Sequence, residues 1–140
     1  MNKPLIWGGS LSLLASVLHI AIIVGGPAWY RFFGAGEELA QLAEQGSAIP
    51  GTVTAIIALI LMLWSVYAFA GAGLVRHPPW LKAVLIVVTA IYLLRGLSLF
   101  PLVIFVPQTV DGFLVVSSMI SLSIGMLHYR GTRQMIWELS

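Results

Sequence analysis

Four long apolar segments constrain this chain more than any other feature of its sequence. They cover about residues 5–25, 51–75, 82–105 and 109–129. A helix needs about 20 mostly apolar residues to cross the ~30 Å hydrocarbon core of a membrane. Hydrophobic residues make up 59% of the 140 positions and charged residues only 9%. A soluble domain carries roughly 25% charged residues, so the sequence predicts a single four-span transmembrane domain over the whole chain.

The segments are typical of helices rather than of transmembrane β-strands. Such strands alternate apolar and polar residues, whereas the run from Thr54 to Trp64 shows no alternation. Lys3 and the apolar run after it resemble a signal peptide, but that run is longer than the usual apolar region of about 7–15 residues. We therefore expect the first segment to be a retained span.

Short connections predict how the spans are arranged. The third span follows the second after a turn at Arg76–Pro79, and the fourth follows the third after Val106–Gln108. Short links make sequential helices antiparallel neighbours. The predicted fold is an all-α, integral membrane, antiparallel four-helix bundle.

The basic residues predict the orientation of the spans, because cytoplasmic loops collect Lys and Arg. With the N-terminus inside, five basic residues fall on the cytoplasmic side: Lys3, Arg76, Lys82, Arg130 and Arg133. The opposite orientation leaves Arg31 as the only basic loop residue inside. We therefore expect a multi-pass protein with both termini in the cytoplasm.

The first outer loop is the longest connection. Its run Trp29-Tyr30-Arg31-Phe32-Phe33 is typical of an interfacial anchor. Residues 37–45 begin with two glutamates and are followed by Gly46, which favours a short helix there. Leu39, Leu42 and Ala43 share one face of this helix, so we expect it to be amphipathic and to lie on the outer surface.

Small residues recur at helical spacing in three of the spans. The stripes are Gly8, Ser12 and Ser16; Ser65, Ala68 and Ala72; and Ser117, Ser121 and Gly125. Such residues let membrane helices approach closely, so we expect the stripes to face the interior. A polar pore lining is the alternative interpretation.

Arg95 is the one charge inside a span, and it organises the candidate site. A guanidinium keeps its proton, so it must reach water, pair with an anion or line a polar cavity. At 1.5 Å per residue, His19 lies about 21 Å along the first span and Arg95 about 20 Å along the third. Both spans run outward, so the two side chains are expected at similar depth. Tyr92 lies one turn from Arg95, and Glu37 and Asp111 belong to the outer boundary.

These five residues predict a ligand-binding site in the outer half of the bilayer. In this version Arg95 binds a phosphate or carboxylate, His19 and Tyr92 add donors, and Glu37 acts as counter-ion or base. Asp111 completes the ring of outer acids. Two structural alternatives remain open: Arg95 snorkels or pairs with Glu37 or Asp111, and His19 donates an interhelical hydrogen bond.

No cofactor or metal site is predicted. The chain has no cysteine, and no two histidines have metal-ligand spacing. His77 and His128 are expected at the cytoplasmic boundary, in contact with solvent. The formal net charge of +2 forms no basic stripe, which argues against a nucleic-acid partner.

One resemblance extends over most of the chain. The residues that carry it are His19, the run Gly26-Pro27-x-Trp29-Tyr30-Arg31-Phe32-Phe33-Gly34-Ala35-Gly36-Glu37, and Tyr92-Leu93-Leu94-Arg95-Gly96. This pattern resembles a group of small uncharacterised proteins of the bacterial inner membrane. The resemblance implies that location and no activity. The four-span layout is also similar to small multidrug transporters and sterol-isomerase-like membrane proteins, but the embedded acids that they use are missing here.

Three functions remain open. The preferred one is a membrane protein that binds an amphipathic or lipid-like anion, or a partner subunit, with membrane lipids, a second copy or another membrane protein as partner. The second is a membrane enzyme for a hydrophobic substrate, with His19 as acid or base and Arg95 stabilising an anion. The third is a small dimeric transporter. It ranks last because the cytoplasmic halves of the spans are expected to offer only serines and glycines.

Overall fold

The structure, a computed structural model that describes residues 1–140, is built from helices. The helices are α1 (Lys3–Gly25), α2 (Pro27–Phe32), α3 (Glu37–Glu44), α4 (Ile49–Gly71), α5 (Leu81–Leu97), α6 (Leu99–Phe105) and α7 (Gly112–Glu138), with a 3₁₀ turn at Pro107–Thr109. Four helical stretches are long and apolar enough to cross a membrane: α1, α4, α5 continued by α6, and α7. This confirms the predicted all-α class and the four apolar segments.

The third apolar segment is broken close to Arg95. Pro101 has no backbone N–H, and its ring clashes with the carbonyl of the residue four positions earlier, which is Leu97. Accordingly α5 ends at Leu97 and α6 begins at Leu99. The Ser98 hydroxyl donates to the carbonyl oxygen of Arg95 at 2.7 Å, which satisfies one of the backbone acceptors left by this break. Arg95 therefore lies in the last turn of a helix, where a positive charge suits the helix dipole.

Three element boundaries differ clearly from the sequence prediction. Helix α7 continues to Glu138, whereas the fourth span was predicted to end near residue 129. Residues 27–32 form the short helix α2, which we did not expect; Pro27 is at its first position, where a missing N–H has no consequence. The second span ends at Gly71 rather than near residue 75. Gly73 has a φ of 80°, and the Leu74 N–H donates to the Phe69 carbonyl, as in a Schellman stop.

The chain divides into two compact units. The first comprises Met1–Ser12 and Trp64–Ser140, and the second comprises Leu13–Leu63. The buried apolar core of the first unit is formed by Leu5, Ala68, Ala70, Ala72, Leu81, Leu85 and Met135. In the second unit, Ile22 packs with Tyr30 of α2 and Ala40 of α3.

Helices α5 and α7 approach each other closely within the first unit. A Cβ added to Gly96 would lie 2.7 Å from the backbone nitrogen of Leu122, and one added to Gly125 would lie 3.0 Å from that of Leu93. Glycine at these two positions allows backbone-to-backbone packing, the usual way in which helices associate without a hydrophobic driving force. The buried Ser12, Ser16, Ser65 and Ser121 confirm that the predicted stripes face inward.

The variant Gly96→Ala tests this close approach. Alanine favours a helix by about 1 kcal/mol over glycine, yet here we expect the free energy of unfolding to fall by about 1–3 kcal/mol because the helices must separate. Unfolding of the detergent-solubilised protein by heat or by SDS measures the change. The matched control is Gly112→Ala, where an added Cβ meets nothing within 4 Å. Equal stabilities for the two variants would contradict the packing.

Candidate functional site

The guanidinium of Arg95 is bound by two serine hydroxyls of α7. Its Nη1 donates to the Ser118 hydroxyl at 2.8 Å, and its Nη2 donates to the Ser117 hydroxyl at 3.1 Å. Ser118 is buried, while Arg95 is exposed on the helix surface. Serine hydroxyls accept hydrogen bonds but carry no charge, so these contacts hold the guanidinium in place without neutralising it.

The start of α7 determines where these two hydroxyls lie. Asp111 precedes α7, and its carboxylate accepts the N–H of Leu114 at 2.7 Å. This is the contact of an N-cap residue, which fixes the first turn. The Ser117 hydroxyl donates to the Leu114 carbonyl at 3.2 Å, so its lone pairs are available to Arg95. Asp111, a predicted ligand-binding residue, is thus engaged as a helix cap in the first unit.

Tyr92 is buried beneath Arg95, in the interior of the first unit. Its hydroxyl lies 2.7 Å from the Ser12 hydroxyl, and its carbonyl accepts the Ser121 hydroxyl at 3.0 Å. The ring packs edge-on against Trp64, with centroids 5.2 Å apart. Tyr92 therefore connects α5 with α1, α4 and α7, while Arg95, one turn further along, remains exposed.

His128 is a buried polar residue that the sequence pattern did not lead us to expect. We expected it to be solvated, but its side chain is 0% exposed, so that prediction is wrong. Its Nδ1–H donates to the Ile124 carbonyl at 3.0 Å, and its Nε2 has no hydrogen-bond partner. The space for the ring exists because residue 8 is glycine: a Cβ there would lie 2.8 Å from the ring. His77, by contrast, is exposed as expected.

The spacing of small and polar residues along α7 indicates that His128 is buried. The buried polar and small residues of the helix recur at intervals of three or four: Ser118, Ser121, Gly125, His128 and Thr132. Thr132 lies 3.4 Å from Thr89 of α5, which is also buried. The expectation that this end of the spans offers only serines and glycines is therefore wrong. Buried polar groups extend along most of the contact between α5 and α7.

His19 belongs to the second unit, where it is half-buried on α1. Its Nδ1 lies 2.7 Å from the Ala15 carbonyl oxygen of the same helix. Because a carbonyl can only accept, the proton is on Nδ1, and Nε2 of the neutral ring is an acceptor. The neighbouring Ser16 hydroxyl donates across to the Ala58 carbonyl of α4 at 2.6 Å.

Glu37 lies in the second unit too, and it is paired with Arg31. The Nε and Nη2 atoms of Arg31 donate to the two carboxylate oxygens of Glu37 at 2.9 and 2.8 Å, and Nη1 donates to Glu44 at 2.6 Å. Hydrogen bonds from Arg31 are the largest influence on both acids and lower the pKa of each. Helix α3 is thus tied at both ends to α2, and the predicted helix over residues 37–45 is confirmed at Glu37–Glu44.

Tyr30 fastens this loop to α4. Its ring is buried, and its hydroxyl lies 3.0 Å from that of Thr54. The Thr54 hydroxyl donates to the Pro50 carbonyl at 2.7 Å, so Tyr30 is the donor to Thr54. Two contacts, one an ion pair and one a buried hydrogen bond, therefore hold α2 and α3 within the second unit.

Comparison with known proteins adds no relative from which an activity can be transferred. The chain matches no protein-family model. It matches no curated protein and no solved structure. Any function must therefore be argued from the residues themselves.

The pairing of Arg31 with its two acids predicts how the loop responds to pH. The pKa of Glu37 and of Glu44 is lowered from 4.5 in the folded protein. The stability that these pairs contribute is therefore fully present above pH 4.5 and is lost as the pH falls through the lower folded pKa values. NMR titration of the two carboxyl carbons in micelles measures this. In Arg31→Gln both pKa values are expected to rise; identical titrations in wild type and variant would refute the pairing.

Proposed function

We propose that the chain is a multi-pass membrane protein that binds the anionic head group of a lipid, or of a lipid-like amphiphile, at Arg95. The observation that carries the proposal is an exposed guanidinium whose partners are two neutral hydroxyls. Charged side chains within apolar spans are expensive and are usually paired, so an unneutralised one favours binding an external anion. In a bilayer, the phosphate of a lipid is the nearest abundant anion.

The depth of Arg95 suits a head group. Ser117 and Ser118 lie about 8–9 Å along α7 from its first residue, Gly112, at 1.5 Å per residue. If Gly112 lies at the edge of the hydrocarbon, the guanidinium lies within snorkelling reach of the lipid phosphates.

The geometry of the guanidinium also suits a phosphate. Arginine has five N–H donors in a planar fork that matches two oxygens of a phosphate or carboxylate. The two serines use one N–H on each terminal nitrogen, so three donors remain for a ligand. Hydrogen bonds from a charged donor to a charged acceptor are about twice as strong as neutral ones.

Within this proposal, the protein lies in the bacterial inner membrane with both termini in the cytoplasm. Five basic residues then lie on the cytoplasmic side, as the positive-inside rule favours: Lys3, Arg76, Lys82, Arg130 and Arg133. Arg95 belongs to the outer half of the bilayer and takes a lipid of the outer leaflet.

The other residues of the predicted site form hydrogen bonds with protein groups other than Arg95, which favours supporting roles for them. Glu37 holds Arg31, Asp111 caps α7, and the Tyr92 hydroxyl lies on Ser12. His19 donates its Nδ1–H to a carbonyl of its own helix. No contact specifically favours an enzyme or a transporter over a lipid-binding protein. The proposal therefore rests on Arg95 with Ser117 and Ser118.

Native mass spectrometry of Arg95→Leu tests the proposal. The purified wild type is expected to retain an anionic phospholipid, and the variant is expected to bind it about tenfold more weakly or worse, because hydrogen bonds to charged groups contribute about 1.5–3 kcal/mol. Arg95→Lys keeps the charge but lacks the planar set of donors, so its affinity for the lipid is expected to lie between those of Arg95→Leu and the wild type.

Arg76→Leu is the matched control, since Arg76 is exposed in the connection between α4 and α5. It removes the same charge and is expected to retain lipid as the wild type does. Equal lipid retention by folded wild type and Arg95→Leu would reject the proposal. Loss of a co-purified protein instead of a lipid from Arg95→Leu would point to a partner subunit and reject the lipid too.

A further inference from the structure

A groove lies between α5 and α7 at the opposite end of their contact from Arg95. Its volume is about 310 Å³, within the range of about 300–1,000 Å³ that is common for ligand sites. It is lined mainly by Ile86 and Thr89 of α5 and by Tyr129, Thr132, Arg133 and Trp137 of α7. We call it the Arg133 groove.

The floor of the Arg133 groove presents apolar atoms. The Thr89 hydroxyl donates to the Leu85 carbonyl at 2.6 Å, and the Thr132 hydroxyl lies 3.4 Å from that of Thr89. Both threonines are buried, and their hydroxyls are engaged with protein groups. A ligand would therefore contact the methyl groups of the two threonines, the Ile86 side chain and the Trp137 ring. Such a surface suits a hydrocarbon chain.

The rim of the groove is cationic and aromatic. Tyr129, Arg133 and Trp137 recur every four residues and share one face of α7. Arg133 is exposed, and both salt bridges of the chain belong to Arg31. Arg130 lines a shallower depression beside the groove, together with the same three residues. The nearby Glu138 accepts a hydrogen bond from Gln134. Two arginines are thus available to an anion.

The length of α7 puts this rim at the level of lipid head groups. The helix has 27 residues, so at 1.5 Å per residue it is about 40 Å long, longer than the ~30 Å hydrocarbon core. Arg133 lies about 32 Å from Gly112 by the same rise. When Gly112 is at one edge of the hydrocarbon, Arg133 is just beyond the other, where Trp and Tyr also prefer to lie.

We infer that the Arg133 groove binds one anionic phospholipid, with an acyl chain along Ile86, Thr89 and Thr132 and its phosphate on Arg133. A lipid combines the apolar chain that the floor suits with the negative charge that the rim attracts. The inference rests on the membrane placement proposed above, but it does not depend on lipid binding at Arg95.

The test is a titration with phosphatidylglycerol in an Arg95→Leu background, so that the first site is removed. Native mass spectrometry in detergent gives the occupancy. Arg133→Gln is expected to weaken binding about fivefold, since a basic residue at the membrane surface contributes about 1 kcal/mol. Ile86→Trp fills the groove from an exposed position without altering charge, and is expected to weaken binding similarly.

Arg76→Gln removes one charge from an exposed loop and serves as the control. If it weakens binding as much as Arg133→Gln does, the lipid is held by diffuse charge and the inference is overturned. It is also overturned if Ile86→Trp has no effect, if phosphatidylcholine binds as well as phosphatidylglycerol, or if glycerol phosphate competes at equal concentration. Circular dichroism and gel filtration verify that each variant is folded.

These variants distinguish the lipid site proposed at Arg95 from the one proposed in the Arg133 groove. If Arg95→Leu retains phosphatidylglycerol and the added Arg133→Gln weakens its binding about fivefold, the groove is supported whether or not Arg95 binds lipid. Sensitivity to Arg95→Leu alone, with no effect of Arg133→Gln, supports the proposed function and overturns the groove.

Discussion

The close approach of α5 and α7 is the contact on which the first unit depends. Lipid offers no hydrogen-bond partners, so polar side chains in apolar helices must find them within the protein. Gly96 and Gly125 bring the two backbones together. Short hydroxyls can then bridge the helices, as Ser118 does to Arg95 and Ser121 does to the Tyr92 carbonyl. Larger residues at the glycine positions would push the two helices apart and weaken these bridges.

Two arginines of the same chain show why the identity of a partner matters. Arg31 is held by two carboxylates, which accept three of its hydrogen bonds and neutralise its charge. Arg95 is held by two hydroxyls, which position it and leave the charge in place. The first arrangement fixes a loop. The second leaves a positioned cation on an apolar surface, which is what recognition of an anionic head group requires.

The sequence was sufficient for the four apolar segments, the helix at Glu37–Glu44 and the inward-facing small residues, because length, composition and spacing decide them. It did not predict α2 or the break between α5 and α6. It did not identify the partners of Arg95. The depth of a residue along a helix can be calculated from residue numbers. Whether Asp111 or the two serines bind Arg95 depends instead on how α7 is rotated and capped. The partner of Glu37 is only six residues away, at Arg31, and that proximity was an overlooked signal. His128 was missed because the stripe on α7 was followed only as far as Gly125.

Solid-state NMR in anionic bilayers tests the central claim most directly. Dephasing of the arginine ¹³Cζ signals by lipid ³¹P reports which guanidinium groups contact phosphate, and the spectrum of Arg95→Lys identifies the Arg95 signal by its loss. The account predicts strong dephasing of the Arg95 signal, in contrast to Arg31, which is already paired with Glu37 and Glu44. An Arg95 signal that ³¹P leaves unchanged would contradict the account.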